Sequence, residues 1–416
     1  MNTISHNWAE HVAFGALSTH FPASVAEVQQ IVRQSPKVRA IGARHSFNAI
    51  ADTPGALISL RSLPRRIEID AQNRTVTIDG GITYSELCPV LEEAGWALFN
   101  LASIPDFTVV GAVATAIHGS GNSNKNLASS VAAIEIVTAS GDIVTYRRGE
   151  PDFDGAVVNL GALGVVTSMV LDLVPRFEIR QDVYHRLRFD AVVDNFDMLM
   201  GSAYSVSLFT HWDGDIVDQA WLKNLATAVL PGELFEGTPA TDESSPVVGK
   251  LPYGTTAQRG LLGPSYDRLP HARIGAIPAV GYEFQSEYFV ARSDAPAAMR
   301  AIRKIEAALH PVMVVSEIRT IAADELWMSM NFQQDGVGFH FSWERDWPAV
   351  EKALIAIEGA LAPFNPRPHW GKLFVMPAAE VRGRYPRLAA FRDLATRLDA
   401  TGKFRNGFVD DYVFGG

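Results

Sequence analysis

Alternating apolar and polar runs that fold back on themselves constrain this chain most. In "RRIEIDAQNRTVTIDGG", two such runs flank a polar turn containing Asn73. A period of two marks a strand with one face buried, and the pair reads as a hairpin. "VAAIEIVTASGDIVTY" repeats the design around Ser140-Gly141-Asp142. "GALGVVTSMVLDLVPRF" adds a strand in which Val166, Ser168, Val170 and Asp172 alternate with Thr167, Met169 and Leu171. "KVRAIGA" and "ALISL" read as two further short strands. Helices are few. One opens at Ser24 with Glu27 three positions on, and another at Thr83 with Glu86, both with the spacing of a capping box. Regular strand–helix–strand alternation is absent, so a doubly wound sheet fits poorly and an α+β fold is expected.

Pro175 is a plausible boundary. The segment 231–280 is rich in Gly, Pro, Ser and Thr and reads as long loops. Strands "AVGYEFQSEYFVA", "PVMVVSEIRTIA" and "GVGFHFSWE" follow, interleaved with helices "DAPAAMRAIRKIEAALH" and "DWPAVEKALIAIEGALAPF". This is a second α+β unit, an antiparallel sheet covered by helices. The tail "GKFRNGFVDDYVFGG" is too short to stand alone and must pack on something already built. At roughly 100–200 residues per domain, 416 residues make two or three domains.

Composition excludes several classes. A net charge of −10 gives no reason to expect nucleic acid or an anionic membrane as partner. The single cysteine, Cys88, rules out an internal disulfide framework and reads as a buried structural thiol in the Thr83 helix. The N-terminus lacks a basic stretch followed by an apolar run, and "VVGAVATAI" is far below the roughly 20 residues that span a bilayer. A cytoplasmic monomer is the expectation. No G-x-G-x-x-G follows a strand, since "HGSGNSN" has Asn124 where the third glycine belongs. P-loop, H-E-x-x-H and G-x-S-x-G patterns are absent, and no metal site is expected.

Two loops draw attention. "IGARHSFN" ends a strand in Gly42-Ala43 and continues with Arg44-His45-Ser46. Such a turn can present successive backbone N–H groups to an anion, with Arg44 and Ser46 as side-chain donors. An ordinary surface turn fits these residues too. "ASIPDFTVVGAVATAIHGSG" places Gly111, Ala112, Ala114 and Ala116 before His118-Gly119-Ser120-Gly121, with hydroxyls at Ser103, Thr108 and Ser120. Small residues let backbone approach a ligand closely, though a tightly packed buried segment has the same composition. Two such loops in one unit are more specific than either alone.

These loops, with the tail of the chain, resemble the flavoprotein oxidases of the vanillyl-alcohol-oxidase type, and within them the alditol (xylitol, sorbitol) oxidases. "GARHSFN", "LASIPDFTVVGAVATAIHGSG", "QSEYFV", "SEIRT", "GFHFSW" and "HWGK" match that family's segments in its order, over nearly the whole chain. "HWGK" and E-x-R are shared with aldonolactone oxidases. The resemblance implies an FAD-binding domain of two α+β subdomains at 1–177, an antiparallel-sheet cap domain at 178–375, and a C-terminal segment at 376–416 packing back on the FAD domain. It implies FAD held covalently through His45. Ile41, Gly42, Ala43, Arg44, His45, Ser46 and Phe47 would wrap the diphosphate. Ser103 would lie near flavin N5. Thr108, Gly111, Thr115, Ala116, Ile117, His118, Val166 and His369 would line the cofactor. Gln285, Glu317, Arg319, His340, Ser342 and Lys372 would face the substrate with Ser103. Ile117 and Ser342 stand where the family usually has threonine.

The residues carry a chemistry of their own. In "VVSEIRT", Glu317 and Arg319 are two apart and share a strand face, as do His340 and Ser342 in "GFHFSW". A solvated sheet face with a Glu–Arg ion pair has the same spacing. With a flavin present, this face would bind a polyol, whose buried hydroxyls each need a partner. Lys372 and Arg319 could stabilise a developing alkoxide. Arg319 should lower the pKa of Lys372, and His340, with a pKa already near neutral, is the other candidate base. That choice stays open. The expected reaction takes hydride from C1 of an alditol and passes the electrons to O2, giving an aldose and hydrogen peroxide. An aldonolactone oxidase or dehydrogenase of the same fold, and a flavin-bearing carbohydrate-binding protein without turnover, are the alternatives.

Overall fold

Both hairpins form, and they lie in one sheet. The computed structural model describes residues 4–227, 232–276 and 283–415. Strands Ile67–Asp70, Thr75–Asp79, Val165–Asp172, Val131–Val137 and Ile143–Arg147 hydrogen-bond in that order as a five-stranded antiparallel sheet. Their alternation buries Val76 and Ile78, Ile134 and Ile136, and Met169 and Leu171 on one core. A separate three-stranded parallel sheet is ordered Ser18–His20, Ala56–Ser59, Val38–Ile41. The helix Val25–Gln34 packs Val28 and Val32 on it. Ser24 caps that helix through the Glu27 N–H, while the Glu27 carboxylate reaches back one residue further, to Ala23 N. At Thr83 and Glu86 the reciprocal capping box is complete. Cys88 is buried there, its thiol pushed up to about 12 by burial.

The second unit is a nine-stranded antiparallel sheet. Its centre runs Glu178–Arg188, Ile216–Leu225, Ser205–Thr210, Met313–Ile321, Gly336–Trp343, Phe284–Ala291. One face packs Leu208, Ile318, Phe339 and Phe341 against Ile302 and Leu354 from helices Ala295–Arg303 and Trp347–Leu361. The stretch expected as one helix over 294–310 is two, because the first ends at Arg303 and Glu306–Leu309 starts afresh. The expected strand from Ala279 is described only from residue 283 onward.

Described residues 232–276 contribute two-residue strands at Thr238–Pro239 and Gly263–Pro264 and a 3-10 turn at Ser265–Asp267, and are otherwise loop. They are not a solvated loop. Ser244, Thr256, Gln258 and Ser265 are buried, and Gln258 closes on Ser244 through both amide atoms at 2.8 Å. The tail packs as its length required: Phe391, Leu394, Val409 and Val413 join the core of the five-stranded sheet. Trp327, Met328 and Met330 join it too, although they lie between two strands of the larger sheet.

Candidate active site

The two loops meet each other before they meet any ligand. A Cβ on Gly42 would stand 2.2 Å from Thr108 Oγ1, and one on Gly111 2.7 Å from the same atom. Gly42 is therefore needed for the two loops to close on one another, and Gly111 for the second loop to close around its own Thr108. From Ile41 to Phe47 the turn is anchored on both sides. Phe47 N donates to Gly371 O at 2.7 Å, and Asn48 Nδ2 donates to the carbonyls of Trp370 and Lys372 at 2.8 Å each. Trp8 N donates to Arg44 O at 2.8 Å, and the Arg44 guanidinium turns to His6 O at 3.2 Å. Arg44 itself sits at φ 66°.

Behind this turn opens a cavity of about 1110 Å³. Residues 41 to 47, Ser103, Thr108, Gly111, Thr115, Ile117, His118, Val166 and His369 line it. Ala116 does not: it is fully buried in the core at φ 54°, and its neighbours on either side face the space instead. Sequence reasoning missed much of this wall, including Arg39, Gly80, Gly81 and the Asn159–Gly161 turn. Paired glycines at strand ends were the available signal.

His45 faces the cavity between aromatic rings. Trp8 stacks on it at 4.8 Å and Phe107 meets it edge-on at 4.6 Å. Burial, then Arg44, push its imidazole down to about 4. It is neutral at physiological pH, and no protein group hydrogen-bonds its ring among the described residues.

The opposite wall is the large sheet. Glu317 pairs in register with His340, and His340 with Glu287, so the three form one row across adjacent strands. The next row holds Val315, Ser342 and Gln285. The face is buried rather than solvated: Glu317, Arg319, His340 and Ser342 are all below a tenth exposed. With Gln285 and Lys372 they line the same cavity as His45. Six of the seven residues expected to face substrate thus lie on this wall, and the seventh, Ser103, is on the 102–121 loop. The walls are joined where Gly121 N donates to Thr320 O at 2.9 Å and Arg319 Nη1 to Ser103 Oγ at 3.2 Å.

Glu287 is the residue that sequence reasoning passed over. Its side chain is 0% exposed. Oε2 accepts from Lys372 Nζ at 2.7 Å. Oε1 accepts from Arg319 Nη2 at 3.1 Å and lies 3.1 Å from His118 Nε2. Its backbone carbonyl takes His369 N at 2.9 Å, which fixes the "HWGK" turn that carries Lys372. Burial opposes the charge, yet Lys372, His118 and Arg319 hold the carboxyl well below its ordinary value. The signal was in the quoted run: Gln285 and Glu287 are two apart on one strand face. Glu283, also missed, accepts from Gln285 Nε2 at 2.7 Å and Ser342 Oγ at 2.9 Å, and burial pushes its carboxyl up to about 7. His271 was hidden in the loop-rich segment; its Nε2 stands 2.7 Å from Glu317 Oε1.

Of two expectations about proton affinity, one holds and one needs correction. Lys372 is lowered chiefly by burial, with Arg319 second to it among the lowering effects and Glu287 opposing. His340 is not near neutral: burial, then Lys372, push it down to about 3. No protein group hydrogen-bonds its ring among the described residues, and its Nδ1 is buried.

The cavity fits a dinucleotide flavin. It has the volume, two glycine-bearing loops on one side, and on its wall a histidine whose ring no protein group hydrogen-bonds among the described residues. Among the described residues no cluster could hold a metal ion, and no helix is long and apolar enough to cross a membrane. Comparison with known proteins agrees. Residues 17–147 match the family model of an FAD binding domain, and residues 279–412 that of D-arabinono-1,4-lactone oxidase. The chain is 43% identical to an alditol oxidase from Streptomyces over the full length of both. It is 28% identical to L-gulono-1,4-lactone dehydrogenase from Mycobacterium tuberculosis over 98% of this chain and 99% of that one. Among solved structures, cholesterol oxidase from B. sterolicum superposes with a TM-score of 0.80 over 98% of this chain and 96% of that one, at 14% identity, a likeness of fold alone. The chain belongs to the vanillyl-alcohol-oxidase-type FAD flavoproteins, in the family of the alditol oxidases.

Proposed function

We propose that the protein is an FAD-dependent oxidase of open-chain polyols, converting the C1 alcohol of an alditol such as xylitol or sorbitol to an aldose and giving hydrogen peroxide. One observation carries this reading. Carboxylate, guanidinium, imidazole, hydroxyl, amide and ammonium groups converge on one buried wall of the cavity that Ser103 and His45 also line. A ligand rich in neutral hydroxyls satisfies such a surface; an apolar one would strand it. In this reading residues 1–177 and 376–416 hold the cofactor and 178–375 hold the substrate. FAD, when bound, supplies the two-electron acceptor.

The residues then divide the work. Arg319 and Lys372 are held as cations by Glu287, and Arg319 also by Glu317 at 3.5 Å. Both can face an alkoxide as it forms without moving. His340 is neutral among these donors and can accept a hydrogen bond from the substrate hydroxyl. Gln285 and Ser342, tied through Glu283, meet the hydroxyls further along the chain. Val166 and the 102–121 loop bound the cofactor space. His45 is set up as a nucleophile by its neutrality and by its clamp of Trp8 and Phe107, and we assign it the covalent link to FAD.

Anaerobic xylitol or sorbitol should bleach the yellow protein, and air should restore the colour with release of peroxide. A yellow protein indifferent to polyols would refute the substrate assignment. The match of residues 279–412 to an aldonolactone oxidase favours a second reading, and bleaching by an aldonolactone alone would select it. Acid precipitation should leave a yellow pellet, and His45→Ala a colourless one.

A further inference from the structure

A chain of three residues runs behind the substrate wall. Lys223 lies on Ile216–Leu225, with the strand Ser205–Thr210 between it and the Glu317 strand. It is 1% exposed and lies off the cavity. No ion pair neutralises it among the described residues. Its ammonium donates instead to Leu269 O, to Pro270 O at 3.2 Å, and to His271 Nδ1 at 3.1 Å. His271 Nε2 in turn stands 2.7 Å from Glu317 Oε1. Only His271 and Glu317 of the three reach the cavity.

The donor inventory fixes the direction of this chain. Burial pulls the Lys223 ammonium down to about 7, with Glu317 opposing; in its charged form it has hydrogens to give and no lone pair to accept with, so His271 Nδ1 is then the acceptor. A neutral imidazole whose Nδ1 accepts carries its hydrogen on Nε2, which points at Glu317. Burial, then Lys223, keep His271 neutral, down at about 4. Glu317 is ionised, held well below its ordinary value against burial by Arg319 and His271. Its Oε1 is thereby occupied, while among the described residues no protein group hydrogen-bonds Oε2. A buried lysine that served only to fill space would be replaced at less cost by an apolar side chain.

We propose that Lys223 is a positioning residue for substrate recognition: by donating to Nδ1 it locks His271 in the Nε2–H tautomer, and that hydrogen bond fixes Glu317 as an acceptor whose free oxygen takes a substrate hydroxyl. The proposal rests on the polyol reading above. The other tautomer would turn a lone pair of His271 towards the Glu317 carboxylate and push it out of place. The same loop also donates His271 N and Ala272 N to Ser103 O, at 2.9 and 3.1 Å. A purely mechanical role for Lys223, pinning this loop, is therefore the competing account.

A double-mutant cycle separates the two. Lys223→Met should raise KM for xylitol about tenfold and leave kcat within about threefold, the pattern of lost uniform binding. In a Glu317→Gln background the same change should add less than about twofold, because its route is already cut. Penalties that multiply in the double variant would overturn the proposal. Nitrogen-15 spectra of the histidine rings, with His271 assigned by His271→Asn, read the tautomer without any turnover. The wild type should show Nδ1 unprotonated and Nε2 protonated, and Lys223→Met a mixture. A wild-type spectrum with the hydrogen on Nδ1 would overturn the proposal even if Lys223→Met failed to fold. If the wild type turned over no polyol, the polyol reading would fail, and the spectrum would still decide the tautomer.

Discussion

The two walls of the cavity are made of opposite materials. The wall built from residues 41–47 and 102–121 is rich in glycine, alanine and hydroxyls, with His45, Phe47, Phe107 and His118 among them, and its one arginine in the turn faces His6 O. The sheet wall packs Glu287, Glu317, Arg319 and Lys372 within ion-pairing distance of one another and almost out of solvent. A large ligand that brings its own charges needs space and N–H groups. A small neutral one needs side chains aimed at it. The first wall should therefore fail when its volume changes, and the second when its charges do.

The largest test of that contrast is on the charges. Arg319→Ala, or Lys372→Met, should slow flavin reduction by polyol about 10³-fold with flavin content unchanged, read by anaerobic stopped flow. Near-normal reduction in both variants would remove the charged wall from the mechanism. Glu287→Gln keeps the shape and takes away the shared counter-ion. It should cost about 10²-fold in the same step, again with the flavin in place. On the other wall, Gly42→Ala puts a Cβ 2.2 Å from Thr108 Oγ1. Flavin content per protein should fall several-fold while turnover per bound flavin stays within about twofold, and a second change, Thr108→Ala, should restore the content. Loss of turnover per flavin would blur the division between the walls.

The smallest effect concerns pH. Buried Glu283 keeps its proton up to about pH 7, against an ordinary value of 4.5. Between those two values the folded protein holds a proton that the unfolded chain has given up. The stability this confers is lost as pH rises through the window. Wild-type Tm should fall relative to Glu283→Gln by about 1–3 °C between pH 5 and 7.5. A parallel pair of curves would place Glu283 outside this account.

The contrast also explains what could be read from the sequence. The loop wall is contiguous in the chain, and its small residues show as a motif, so the turn at 41–47 and the loop to His118 were legible. The exception, Ala116, turned inward because the chain passes through φ 54° there. On the sheet wall, spacing of two placed Glu317 with Arg319 and His340 with Ser342. It could not say which strands neighbour each other, and so could not show that Glu287 and Glu317 flank one histidine. Lys223 lies on a strand buried without a break from Gln219 to Asn224, so its segment shows no clean alternation. His271 sits in a loop whose composition says nothing about burial. The low pKa of His340 follows from enclosure and from Lys372, neither of which is a property of neighbouring residues in the chain.

The ionic groups of the sheet wall consist of two carboxylates, Glu287 and Glu317, and two cations, Arg319 and Lys372. These four lining charges sum to zero, so the cavity wall itself casts almost no field beyond a few ångströms, and the uncompensated Lys223 ammonium lies behind it, off the cavity. A neutral polyol gains nothing from steering and loses nothing to screening on its way in. Its capture should be indifferent to ionic strength, while an aldonic acid of the same length should find no long-range attraction here and, at close range, no cation that is not already taken.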